Sequence, residues 1–76
     1  MKWTFQITAA SRPRVLMRLV QIFDQQSLVI GSLELVLLNN RVKINLTTEV
    51  DPELARRLQA KLYHQTDIEN VELLAG

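Results

Sequence analysis

Residues 2–8 alternate strictly: Trp3, Phe5 and Ile7 fall on one side and Lys2, Thr4, Gln6 and Thr8 on the other. That is the period of a strand with one buried face. The period then changes. Over residues 12–25, Leu16, Leu19, Val20 and Phe23 recur at helical spacing, while Arg14, Arg18 and Gln21 point away. Ser11 reads as the N-cap of this helix. Pro13 fits its first turn, where a missing N–H costs nothing. Gln25, Gln26 and Ser27 end it. Residues 28–38 are rich in branched side chains and read as a long strand. Asn39-Asn40 reads as a two-residue turn, because Asn tolerates positive φ, and residues 41–48 as the returning strand. Asp51 then caps a second helix with Pro52 at its first position and Leu54, Ala55, Leu58 and Leu62 on its inner face. Residues 68–74 form a last strand.

The turn sets a register. With Leu38 opposite Arg41, Leu37 meets Val42, Leu35 meets Ile44 and Leu33 meets Leu46. All six are apolar and share one face, so the helices are expected to cover that face. The opposite face pairs Val36 with Lys43 and Glu34 with Asn45. The chain also repeats. A shift of 39 positions lays Trp3 on Val42, Phe5 on Ile44, Ile7 on Leu46, Pro13 on Pro52, Leu19 on Leu58 and Phe23 on Leu62 without a gap. Two strand–helix–strand units make a ferredoxin-like βαββαβ sandwich of class α+β. Right-handed crossovers give a four-stranded antiparallel sheet in the order 4-1-3-2, with both helices on one face. One domain spanning residues 1–76 is expected.

Composition narrows the function. Apolar residues make up 47% of the chain, enough for a small core. With no cysteine there is no disulfide, thiolate metal site or Cys nucleophile. The longest apolar run is far too short to span a membrane, and the start of the chain alternates instead of forming the apolar segment of a signal peptide. The cytoplasm is the expected location. His64 is the single histidine and falls near the end of the second helix, where a cation suits the dipole. No catalytic constellation, metal site or phosphate loop is legible, so neither an enzyme nor a cofactor is expected. RNA-recognition modules share this fold class and stack bases on aromatics of the central strands. Here Trp3 and Phe5 belong to the core face, and Thr4, Gln6, Lys43 and Asn45 give no stacking platform, which argues against a nucleic-acid partner.

Two stretches remain. The strand over 28–38 lies at a sheet edge and Glu34 is its only charge. Monomeric proteins usually blunt such an edge with lysine, proline or a bulge. A second copy of the same strand is the simplest cover, through Leu28, Ile30, Ser32, Glu34, Val36 and Leu38. Gly31 within it marks a bulge or a close backbone approach. The other stretch is the strand-to-helix corner Ser11-Arg12-Pro13-Arg14, where free helix N–H groups suit an anion or carboxylate.

The βαββαβ order, the Pro13-Arg14-Val15-Leu16 corner and the edge strand resemble an ACT domain, the small-molecule regulatory module of amino-acid metabolism. Val15–Phe23 running on to Ile30-Gly31-Ser32-Leu33, and Leu58-Gln59-Ala60-Lys61-Leu62 followed by Asp67-Ile68-Glu69-Asn70-Val71, are similar to the small regulatory subunit of acetohydroxyacid synthase, in its short class. The resemblance implies a non-catalytic chain that binds the thiamine-diphosphate-dependent large subunit and activates it in branched-chain amino-acid synthesis. It also implies a ligand site at Ser11, Arg12, Pro13, Arg14 and Val29. Feedback-sensitive relatives have glycine where Arg14 stands and asparagine where Ser11 and Val29 stand, so weak or absent valine binding is expected. Two alternatives stay open: a stand-alone ACT module sensing an amino acid for another enzyme or regulator, and a ligand-free dimerisation domain.

Overall fold

A computed structural model describes residues 1–75. The chain runs β1 (Lys2–Ala10), α1 (Val15–Gln25), β2 (Ile30–Leu38), β3 (Arg41–Glu49), α2 (Pro52–Tyr63) and β4 (Ile68–Ala75). The four strands form one antiparallel sheet in the order β2-β3-β1-β4, which is the expected 4-1-3-2 read from the other edge. The hairpin register is the expected one residue for residue: Leu38 opposite Arg41, Leu37 opposite Val42, Leu35 opposite Ile44 and Leu33 opposite Leu46. Asn39 supplies the positive φ of the turn, 54°.

The core lies between the helices and the three strands β1, β3 and β4. Phe5, Ile7 and Ala9 of β1, Val42, Ile44 and Leu46 of β3, and Val71 of β4 meet Val15, Leu19, Ile22 and Phe23 of α1 and Ala55, Leu58 and Leu62 of α2. Phe5 and Phe23 pack edge to face with centroids 5.0 Å apart, the arrangement aromatic quadrupoles favour. No residue of β2 is in this buried cluster. Leu33 and Leu35 are each 44% exposed and Leu37 is 63% exposed. The three leucines share the helix-side face with Val42, Ile44 and Leu46, as expected, but the helices do not cover them. β2 lies one strand beyond the packed layer.

The two helix starts differ, and the repeat explains why. Asp51 caps α2: its Oδ1 accepts a hydrogen bond from the Leu54 N–H at 2.8 Å. The shift of 39 positions sets Arg12 where Asp51 stands, and a guanidinium has no acceptor to offer. Helix α1 therefore starts later than expected, at Val15 rather than Arg12. Its N-cap is Arg14, not Ser11, and no side chain caps it. The buried face also differs from the expected one: Val15 and Ile22 are buried and Leu16, expected inside, is exposed.

Candidate functional site

The corner before α1 is held by backbone. The Ser11 N–H donates to the Asn40 carbonyl at 2.9 Å, tying the corner to the β2–β3 turn. The Ala10 N–H donates to the Asp67 carbonyl at 2.8 Å. Arg12 leans the same way, with its Nε 3.2 Å from Asp67 Oδ1, a carboxylate only 15% exposed. Arg12 is thus engaged within the chain. Pro13 and Arg14 form the turn that leads into α1. Arg14 takes φ 73°, ψ −3°, the left-handed region that glycine enters freely and a residue with a Cβ enters at a cost. The corner therefore has a backbone that suits glycine, but it carries an exposed arginine instead.

Val29 lies at the other end of the molecule. It precedes β2 and is 83% exposed. Its carbonyl already accepts a hydrogen bond from Thr48 Oγ1 at 2.8 Å. Thr48 is at the far end of β3 from the Asn39-Asn40 turn. Nine residues of strand rise about 3.3 Å each, so roughly 30 Å separates Val29 from the corner. The structure brings Ser11, Arg12, Pro13 and Arg14 together. It does not bring Val29 to them within one chain.

A cavity of about 390 Å³ opens beside Val29, with Lys2, Gly31, Thr47, Thr48 and Glu49 in its walls. Sequence reasoning did not find it, although Gly31 was the signal. The β2–β3 register slips between Ile30 and Ser32, so Gly31 sits in a bulge, as expected. A Cβ there would come within 3.3 Å of the Thr47 carbonyl oxygen. The bulge also reverses the alternation of β2. Leu28 and Ile30, expected on the outward edge, instead turn in and pack against the core. Ser32, Glu34, Val36 and Leu38 stay exposed. Lys2 and Glu49, cross-strand partners on β1 and β3, both line the cavity. Glu49 Oε2 is held 3.0 Å from the N-terminal ammonium, so its charge is already partnered.

His64 ends α2 as its C-cap and is exposed. Among the described residues no group of three or more His, Asp or Glu is placed to hold a metal ion, and no helix is long and apolar enough to cross a membrane. The Trp3 indole N–H is buried and, among the described residues, has no hydrogen-bond partner.

No family model matches the sequence, and no curated protein is similar to it in sequence. Solved structures match the fold. The ACT domain of a GTP pyrophosphokinase from Chlorobium tepidum superimposes with TM-score 0.85 at 16% identity, covering 100% of this chain and 88% of that one. The small subunit of acetolactate synthase from Thermotoga maritima superimposes with TM-score 0.84 at 10% identity, covering 99% of this chain and 48% of that one. A homoserine dehydrogenase from Thiobacillus denitrificans gives 0.78 at 23% identity, over 96% of this chain and 16% of that one. The chain has the ferredoxin-like fold of ACT domains.

Proposed function

We propose that this chain is a non-catalytic regulatory subunit of a thiamine-diphosphate-dependent acetohydroxyacid (acetolactate) synthase. It acts in the cytoplasm, as a homodimer joined along β2, and raises the activity of the catalytic large subunit. The observation that carries this reading is the superposition of 99% of the chain on an acetolactate synthase small subunit. The chain spans about half of that protein's length. The edge supports the dimer. β2 leaves its outer backbone groups and three leucines uncovered, with no proline or lysine to blunt it.

The chain binds valine weakly or not at all in this reading. Arg14 occupies the corner that glycine opens in feedback-sensitive relatives. Val29 has no polar side-chain atom, and its carbonyl is taken by Thr48. A ligand ammonium or carboxylate left without a partner in such a site is heavily penalised.

A second reading, an amino-acid-sensing module serving another enzyme, is favoured by the equally good superposition on the GTP pyrophosphokinase ACT domain, whose length this chain nearly fills. Affinity capture with the tagged chain separates the two. Recovery of a thiamine-diphosphate-dependent synthase supports the first. Recovery of a different enzyme, with no synthase, rejects it.

A further inference from the structure

Two hydrogen bonds fix which way α2 is turned. Gln59 Nε2 donates to the Val71 carbonyl at 2.8 Å, and the Tyr63 hydroxyl donates to Asn70 Oδ1 at 2.5 Å. Gln59 and Tyr63 therefore mark the flank of α2 turned to β4. Arg57 and Lys61 each lie two residues from Gln59, about 200° round the helix. They fall on the other flank, which faces α1. The repeat turns α1 in the same way. A shift of 39 positions lays Val20 and Asp24 on Gln59 and Tyr63, and Arg18 and Ile22 on Arg57 and Lys61. The flank of α1 that faces α2 is thus the one with Arg18 and Ile22, and the burial of Ile22 fits a place in that seam. Arg14 stands one turn before Arg18.

Strands β1 and β3 run antiparallel, so the helices that follow them are antiparallel too. The start of α1 lies beside the end of α2. Arg14 and Arg18 then flank the seam on one side and Arg57 and Lys61 on the other, with helix axes about 8–10 Å apart. All four are exposed. Among the described residues their one ion pair joins Arg57 Nη2 to Glu53 Oε1 at 3.4 Å, between exposed side chains that water screens. Like charges four apart oppose helix formation, and both Arg14 with Arg18 and Arg57 with Lys61 are so spaced. Nothing within the chain offsets this cluster.

The seam also offers apolar contact. Met17 is 66% exposed on the outward side of α1, between Arg14 and Arg18. Ala60 is exposed on α2, where its small side chain lets another backbone come close. Methionine and arginine are enriched where proteins meet. A nucleic acid would call for a broad basic footprint and stacking aromatics. The chain's net charge is only +1, and Tyr63 turns to β4.

We infer that the seam between α1 and α2 docks an acidic segment of another protein, whose carboxylates meet Arg14, Arg18, Arg57 and Lys61 while an apolar side chain covers Met17. Under the function proposed above, on which this identification rests, that protein is the catalytic subunit.

A synthetic peptide with glutamates four apart around a leucine probes the surface without any enzyme. Amide NMR shifts on titration should be largest at residues 14–18 and 57–61. R18E with K61E should weaken peptide binding at least about tenfold, while K43E, on the opposite face of the sheet, should change it less than about twofold. In low salt, R18Q with K61Q should raise the urea midpoint of the free chain by removing repulsion, and the gain should fade as salt is added. No shifts, or shifts centred on Lys43, overturn the inference. Equal shifts with inorganic phosphate make this a site for free anions and overturn it as well. A lowered urea midpoint means that the cations are already held within the chain, which overturns the unpartnered cluster. Peptide binding at the seam without binding of a synthase large subunit keeps the surface and rejects the synthase reading. Large-subunit binding that R18E with K61E leaves unchanged keeps the reading and rejects the surface.

Discussion

Leu35 and Ile44 are cross-strand partners on the same face of the sheet, yet Ile44 is completely buried while Leu35 is 44% exposed. An aliphatic side chain on the same face is core in one strand and surface in the next, because the helices do not cover the Leu33–Leu37 part of β2. Truncation should therefore separate the two. Ile44→Ala should cost about 2–5 kcal/mol of chain stability, as for a buried aliphatic that leaves a cavity. Leu35→Ala should cost less than about 1 kcal/mol in dilute chain, yet weaken dimerisation. Chemical denaturation at low concentration, set beside sedimentation, checks both.

The two helix starts give a second contrast. Asp51→Ala removes a bonded cap and should cost about 1 kcal/mol. Ser11→Ala removes no cap hydrogen bond and should leave stability within about 0.5 kcal/mol. Urea midpoints at an unchanged slope decide it.

Arg14 holds a left-handed backbone that glycine adopts without strain. Arg14→Gly should keep the fold, change stability by no more than about 1 kcal/mol, and clear the corner. Calorimetry should show no saturable valine binding to the native chain at sub-millimolar concentration. Clear binding by the native chain would mean that the corner is a working site as it stands.

Arg12 is paired with Asp67, whereas Arg14 and Arg18 make no ion pair among the described residues. If the basic face meets acidic groups of the large subunit, R14E with R18E should weaken that complex and flatten its salt dependence without unfolding the chain. An unchanged affinity and salt slope would remove both from the interface.

Much of this architecture is written in local pattern. A strict period of two around a two-residue Asn turn leaves one register with all apolar pairs on a single face, so Leu33, Leu35 and Leu37 could be matched to their partners from the sequence. Asp51 before Pro52 signals its cap in the same local way. The features that escaped depend on what lies far off in the chain. The left-handed turn at Arg14 carries no propensity signal, since arginine is a poor choice for it. The Arg12–Asp67 pair spans nearly the whole chain. The exposure of β2 depends on where the helices come to rest. The cavity lies beside a bulge that Gly31 only hinted at, and with that bulge Leu28 and Ile30 turn in to pack, half-buried, against the core.

The regulatory role is tested most directly by titrating the purified chain into a thiamine-diphosphate-dependent acetohydroxyacid synthase large subunit from the same source and following product formation. The account predicts a saturable rise in kcat that levels off at a fixed ratio of the two chains and responds little to added valine. Activity that stays flat across the titration, with no complex on sedimentation, would contradict it.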